Sequence, residues 1–302
     1  MTIADPLARL LARAVGDATQ THLEPLSTAP VGGGCIHTAL KLTVDGAEGE
    51  RAYFAKVNTA ASAPMFAAEA EGLAALREAK AIRVPEVIAR GDDGERAWLV
   101  LEWLDLVPLT PASGAQLGSA LALQHGIPRE KFGWARDNFI GASPQVNGWS
   151  DDWLAFWRER RLHAQLRLAA HNRLPSGMID RGERLAADCE AFFRHYRPAR
   201  SLLHGDLWGG NAGALADGTP AAFDPAVYVG DREADLAMTE LFDGFPKDFH
   251  AAYRAAFPLD DGYAVRRDLY NLYHVLNHAN LFAGGYVRQA EQSINRLLSE
   301  IR

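Results

Sequence analysis

The hydrophobic pattern of the sequence changes once along the chain, and this change constrains the fold more than any other feature. In residues 36–44 apolar and more polar side chains alternate, which is typical of a half-buried strand. After Leu104 apolar residues recur instead at intervals of three and four, as in helices. A strand-rich first third before a helix-rich remainder predicts an α+β fold of two lobes, 1–104 and 105–302, with a crevice between them. The predicted strands are 36–44, 51–57, 84–88 and 97–101, and the predicted helices are 64–77, 116–125, 153–168, 184–196 and most of the chain from Asp235 onward.

Composition and charge narrow the class of protein. The 302 residues are 48% hydrophobic and 23% charged, which suits a globular chain with a sizeable core. The net charge of −7 argues against a nucleic-acid partner, since such binders carry a basic excess. No apolar run approaches the roughly 20 residues of a membrane span, so we expect no membrane partner.

The first residues predict a helix that begins after Asp5 and ends before Gly16. Arg9 and Arg13 interrupt its apolar face, which argues against a signal peptide. The two cysteines have neither a metal-ligand spacing nor a disulfide framework. We therefore expect a cytoplasmic protein.

The strongest chemical signal is the segment His204-Gly-Asp206-Leu-Trp-Gly-Gly-Asn211, which follows a short apolar run. Protein kinases place an Asp and an Asn at this interval in their catalytic loop. There the carboxylate orients the attacking hydroxyl and the amide oxygen binds Mg²⁺. Asp224 follows a second apolar run and is placed to be another metal ligand. The alternative is that Asp206 and Asn211 only form a polar turn.

Gly32, Gly33 and Gly34 precede Cys35 between two segments with strand character. Glycines there let the backbone N–H groups approach a phosphate closely. The segment is neither a Walker loop nor a dinucleotide fingerprint, because the required residues do not follow. A flexible hairpin is the alternative.

Lys56 and Glu69 form a candidate ion pair. Lys56 shares a strand face with Phe54, and Glu69 lies on the apolar stripe of the next helix, so both are expected to point inward. An unpaired buried charge is costly, and each residue is the obvious partner of the other. The alternative is that both side chains extend into solvent.

Over nearly its whole length the chain resembles the fructosamine kinase family, within the group of protein-kinase-like and aminoglycoside-phosphotransferase-like proteins. The most specific stretch is residues 204–211 with Trp208, joined by Gly32–Ile36, Phe54–Asn58 and Pro144–Asn147. The resemblance implies a two-lobed kinase fold and transfer of the γ-phosphate of ATP, with Mg²⁺, to the 3-hydroxyl of a ketosamine.

The resemblance also implies roles for individual residues. Asp206 would be the catalytic base, Asn211 and Asp224 would hold the metal, and Lys56 with Glu69 would bind the nucleotide phosphates. Leu101, Glu102, Trp103 and Leu104 resemble the hinge segment that receives adenine through its backbone.

Three further residues are candidates for the acceptor site. Trp208 could stack on the apolar face of a sugar, or it could be a core residue. His274 and His278 are four apart on one predicted helix face and could form a polar wall for sugar hydroxyls. A helix–helix interface is an equal alternative for them, whereas a metal site lacks a carboxylate or thiolate partner.

Two other functions compete with the ketosamine kinase. One is a different small-molecule kinase of the same fold, acting on an aminoglycoside, choline or an amino acid. The other is a catalytically silent nucleotide-binding module, against which Lys56, Asp206, Asn211 and Asp224 together argue.

Cys35 is a candidate redox switch, because its neighbouring glycines and a bound metal would favour the reactive thiolate. By the resemblance, it could link two subunits into a redox-dependent homodimer. The alternative is a small residue chosen only for its fit, and Cys189 in a predicted helix is expected to be inert.

Overall fold

A five-stranded antiparallel sheet occupies the first third of the chain in the computed structural model, which describes residues 5–32 and 36–301. The strands lie in the order β1-β2-β3-β5-β4. They are β1 (Leu23–Pro30), β2 (Thr38–Gly46), β3 (Gly49–Thr59), β4 (Val87–Asp92) and β5 (Arg96–Glu102).

Two helices, α1 (Pro6–Thr19) and α2 (Ala63–Glu78), cover opposite faces of this sheet. The alternation of β5 explains the arrangement, because Val100 packs in the α1 cluster whereas Leu99 and Leu101 pack in the α2 cluster. Burial of both faces fixes the register of the strands, since a slip of one residue would exchange the two apolar sets.

The start of α1 is as expected, with the Asp5 side chain accepting a hydrogen bond from Leu7 N at 3.1 Å. The expected end before Gly16 is wrong, because the helix continues to Thr19. A Cβ on Gly16 would lie 2.6 Å from the carbonyl oxygen of Thr21, so this glycine admits a close approach of the backbone instead of ending the helix.

The strand β1 was not predicted, because it contains two prolines and little apolar alternation. It pairs only with β2, and an edge strand tolerates prolines. The strand predicted at 84–88 begins later, at Val87. Arg83, just before it, instead forms a bridge with Ala221, far along the chain.

The remainder of the chain is mainly helical. The helix predicted over 153–168 contains a π-helical turn at Arg158–Leu162, and the helix predicted over 184–196 already begins at Ser176 and passes into a 3₁₀ turn at Cys189. The helices are α3 (Pro111–Gly126), α4 (Trp153–Trp157), α5 (His163–His171), α6 (Ser176–Asp188), α7 (Glu233–Leu241), α8 (Lys247–Ala256), α9 (Tyr263–Phe282) and α10 (Gly285–Glu300).

Short strands hold the polar loops of this second part. β8 (Ser201–Leu203) pairs with β11 (Tyr228–Gly230), and the chain between them forms the hairpin of β9 (Ala212–Ala214) and β10 (Pro220–Ala222). A further hairpin joins β6 (Asn138–Ile140) and β7 (Ser143–Gln145).

Residues 103–110 connect the sheet to α3, and the division into two lobes at Leu104 stays a prediction. Within the described ranges, no helix has the length and hydropathy needed to cross a membrane.

Candidate active site

The Lys56 ammonium lies between two carboxylates. Its Nζ atom donates to both oxygens of Glu69, at 2.8 and 2.9 Å, and to Oδ1 of Asp224 at 2.7 Å. The side chains of Lys56 and Glu69 are 8% and 9% exposed, so neither reaches into solvent. Burial alone would lower the pKa of Lys56, but the two carboxylates outweigh burial and raise this pKa, which keeps the ammonium charged.

Asp206 and Asn211 lie in the loop after β8. The Asn211 Nδ2 atom donates to the backbone oxygen of Asp206 at 2.9 Å and to its Oδ2 at 3.2 Å. Because the nitrogen of the amide is used in this way, its oxygen is left for another partner. The same nitrogen lies 3.4 Å from the backbone oxygen of Asp224, so one amide connects both acidic residues.

Burial and the negative charge of Asp224 raise the pKa of Asp206 to about 8, and the hydrogen bond from Asn211 opposes this shift. The pKa of Asp224 moves the other way, since the Lys56 cation outweighs the effect of burial. The two carboxyl groups of the site therefore have different affinities for a proton.

Asp235, to which the sequence assigned no role, binds the backbone at the start of this loop. Its carboxylate accepts hydrogen bonds from the backbone N–H groups of His204, at 2.7 Å, and Gly205, at 2.8 Å, and contacts the His125 ring at 3.1 Å. An acidic residue directly before the apolar run Leu236-Ala237-Met238 of α7 is a signal that could have indicated it.

The His204 ring adds a second support. Its Nε2 donates to the carbonyl of Phe223 at 3.0 Å, and its Nδ1 accepts from Asp206 N at 3.3 Å. Burial lowers the pKa of His204, so the ring is neutral, as this pattern of one donor and one acceptor requires.

Asp224 has a φ of 58°, in the left-handed region that few residues adopt. Buried amides hold the chain just after it: Gln145 donates to the carbonyl of Ala226 at 3.0 Å and Asn138 to that of Val227 at 2.7 Å. Asn147 donates to Asn138 at 2.8 Å and accepts from the fully buried Arg161 at 2.9 Å. Gln145 and Asn147 belong to the stretch 144–147 that resembles the fructosamine kinase family, but the sequence assigned no role to them.

A cleft of about 710 Å³ contains most of the predicted site residues. Lys56, Glu69, Asp206, Asn211 and Asp224 line it. The candidate hinge residues Leu101, Glu102, Trp103 and Leu104 and the candidate acceptor residues Trp208, His274 and His278 line it as well, as does Gly32.

The hinge residues differ in what their backbone can offer. Leu101 and Glu102 belong to β5, and Glu102 N already donates to the carbonyl of Glu86 at 2.8 Å. The Glu102 carboxylate is paired with Arg83. Trp103 and Leu104 follow the strand, so their backbone groups are the better candidates for contact with a base.

The predictions for Gly33, Gly34 and Cys35 fall outside the described ranges, so the redox switch and the disulfide-linked dimer stay predictions. The other cysteine, Cys189, is buried, and burial raises the pKa of its thiol to about 11, which keeps it in the unreactive form.

The candidate acceptor residues lie among aromatic side chains. The Trp208 ring lies over Gly210, where a Cβ would be only 2.2 Å from it, and contacts Phe242 at 6.1 Å between ring centroids. His274 is buried, and its Nδ1 has no hydrogen-bond partner among the described residues. His278 is half-buried and contacts Phe242.

The described residues contain no group of three His, Cys, Asp or Glu side chains that could hold a metal ion. A site for Mg²⁺ could still form from Asp224, Asn211 and the phosphates of a nucleotide, because Mg²⁺ is usually bound by one or two protein oxygens together with phosphate oxygens. The free amide oxygen of Asn211 fits this donor set.

The antiparallel sheet with its paired Lys56 and Glu69, and the helical part with its Asp206 loop, define the protein-kinase-like fold. A solved structure of a putative fructosamine-3-kinase from Haemophilus somnus has this fold, with a TM-score of 0.86 and 29% identity over 95% of this chain and 96% of that one.

The sequence model of the fructosamine kinase family matches residues 7–300, and the chain belongs to this family. A probable ketoamine kinase of Synechocystis is 43% identical over 89% of both chains. A chloroplastic protein-ribulosamine 3-kinase of Arabidopsis thaliana is 38% identical over 90% of this chain and 82% of its own length.

Proposed function

We propose that the protein transfers the γ-phosphoryl group of ATP to the 3-hydroxyl of a ketosamine, with Asp206 as the base. The observation that carries this proposal is the meeting of Asp206, Asn211, Asp224 and Lys56 in one cleft of a chain from the fructosamine kinase family. The names of the ketoamine and ribulosamine kinases among its relatives support the acceptor class.

The reaction needs one proton acceptor and compensation of negative charge. In its ionised form, Asp206 accepts the proton of the acceptor hydroxyl as the hydroxyl oxygen bonds to the γ-phosphorus, and its raised pKa makes that carboxylate a stronger base than an ordinary one. The bond from that phosphorus to the bridging oxygen breaks, and ADP leaves with the electron pair. Lys56, held by Glu69, is placed to neutralise phosphate charge.

Asn211 and Asp224 are the residues that would hold Mg²⁺, and the metal would supply further neutralisation of the phosphate charge when bound. Trp103 and Leu104 would contact the base, and Gly32, which lines the same cleft, would approach the phosphates. Trp208 and His274 would face the sugar. The phosphorylated adduct carries a better leaving group next to its carbonyl, so its decomposition would release the free amine.

A panel of acceptors tests this proposal. A ribulosamine, an erythrulosamine, a fructosamine, choline and an aminoglycoside are each incubated with the protein, ATP and Mg²⁺, and products are identified by mass spectrometry. We expect phosphorylated ketosamine, with phosphorus NMR placing the group at the 3-hydroxyl. Transfer to choline or the aminoglycoside, with none to any ketosamine, would overturn the proposal.

A further inference from the structure

A group of four rings lies at the mouth of the cleft, beyond Trp208. These rings belong to Phe242, His278, Phe282 and Tyr286, which we call the aromatic collar. His278 is its centre, with ring centroids 5.3 Å from Phe242, 5.7 Å from Phe282 and 4.9 Å from Tyr286. Trp208 connects the collar to the loop of Asp206.

One ring of the collar is exposed, and the other three are half-buried. The Phe282 side chain is 52% exposed at the end of α9, although it also lines the cleft. An exposed aromatic side chain that continues a half-buried aromatic group at a cleft is typical of a binding surface.

The backbone that presents these rings is strained. Ala283 has a φ of 52° and a ψ of −139°, a region that is essentially restricted to glycine. Ala283 and Gly284 are the only residues between α9 and α10, so this conformation places Phe282 and Tyr286 against each other at 6.3 Å. Such strain persists where surrounding contacts determine it, and it is common at ligand clamps.

The tautomer of His278 follows from its hydrogen bond. Its Nδ1 lies 2.8 Å from the carbonyl oxygen of His274, and because a carbonyl can only accept, Nδ1 carries the proton. In the neutral ring Nε2 is then an acceptor. The collar thus combines π faces with one acceptor and, among its four residues, has no carboxylate.

We propose that the aromatic collar binds the protonated amine of the ketosamine and the start of its alkyl substituent. This inference rests on the proposed function, which places the 3-hydroxyl at Asp206. The amine is attached two carbons from the carbon that carries this hydroxyl, so the amine and its substituent lie in the cleft that the collar also lines. Aromatic faces attract an ammonium group, and Nε2 of His278 can accept one of its N–H bonds.

The binding of two ligands that share the sugar and the butyl chain, one with a charged and one with a neutral nitrogen, tests this inference. One is 1-deoxy-1-(butylamino)fructose, whose amine is protonated at neutral pH, and the other is its neutral N-acetyl derivative. Calorimetry in the presence of ADP and Mg²⁺ gives both dissociation constants without turnover. We expect the wild-type protein to bind the charged ligand more tightly.

Variants then show whether the collar binds the amine through aromatic faces or only through apolar contact. Phe282→Leu and Tyr286→Leu should each reduce the preference for the charged ligand by about 2- to 30-fold, the range of one cation–π contact. Phe282→Tyr and Tyr286→Phe keep a ring and should keep the preference. Trp149→Leu removes an exposed ring outside the cleft and is the matched control.

The outcomes distinguish this inference from the proposed function. Phosphoryl transfer to ketosamines, with equal affinity for the two ligands or with an unchanged preference in both Leu variants, would overturn the collar alone. If the wild-type protein binds neither ligand and transfers phosphate to no ketosamine, both are wrong.

Discussion

Lys56 and Asp224 are 168 residues apart in the chain, yet the Nζ atom of one lies 2.7 Å from Oδ1 of the other. This contact joins the central strand of the sheet to the loop that follows β10. Glu69 accepts hydrogen bonds from the same ammonium through both of its carboxylate oxygens. One lysine therefore connects the sheet, helix α2 and the polar loops of the helical part.

Lys56→Met should destabilise the protein as well as weaken nucleotide binding, because it leaves Glu69 buried without a cation. We expect a loss of about 3 kcal/mol in the free energy of unfolding, measured with urea. The double variant Lys56→Met/Glu69→Gln should recover much of this stability but none of the nucleotide binding. A double variant no more stable than the single one would contradict this account.

Asp206→Asn should remove most of the phosphoryl transfer and leave the fold and ATP binding nearly intact. Loss of a positioned base typically lowers kcat by about 10²- to 10⁴-fold. Steady-state kinetics on a confirmed acceptor, with calorimetry of ATP binding as the control, measures both quantities. Turnover near that of the wild type would show that Asp206 is not the base.

Asp224→Ala should weaken ATP binding chiefly when Mg²⁺ is present. A carboxylate ligand acts on the nucleotide through the metal, so its loss matters less without the metal. Calorimetry with Mg²⁺ and with EDTA makes the comparison. An equal loss of affinity under both conditions would argue against a metal ligand at this position.

His274 should make the folded state less stable as the pH falls. Burial lowers its pKa from the ordinary 6.5 to about 3, with His278 and Arg161 adding to the shift and Asp235 opposing it. Above pH 6.5 this histidine does not change the free energy of unfolding, because it is neutral in both states. Below pH 6.5 it binds a proton in the unfolded chain but not in the folded one, so the free energy of unfolding falls.

Between pH 8 and pH 5 the wild-type protein should therefore lose about 2 kcal/mol more than His274→Gln, as measured by urea unfolding at both values. A difference between the two proteins that is the same at pH 8 and pH 5 would show that His274 is not kept neutral by the fold.

Ala283→Gly should stabilise the protein, in contrast to most replacements of alanine by glycine. Relief of the strained backbone outweighs the added freedom of the unfolded chain, for a net gain of about 1 kcal/mol. The matched control is Ala251→Gly, at an exposed position of α8, which should lose about 1 kcal/mol. Thermal unfolding of both variants decides the sign, and a destabilised Ala283→Gly would contradict the strain.

The sequence by itself determined the features that depend on local spacing. Asp206 and Asn211 lie within one loop, so the side-chain amide of Asn211 can reach the Asp206 carboxylate. Strand and helix periodicity placed Lys56 and Glu69 on the inward faces of their elements. Because a buried charge without a partner is costly, the two side chains were expected to pair, as they do. The α+β class followed from the change of pattern near Leu104 and agrees with the observed elements.

Only the tertiary structure decided which distant residues meet. Periodicity gives the face on which a side chain lies but not the element packed against it, so the contacts of Asp224 with Lys56 and of Asp235 with the His204 loop could not be predicted. The collar likewise depends on a turn at Ala283 that no local preference favours. Packing imposes that conformation, because contacts made elsewhere in the fold outweigh the intrinsic preference of a single residue.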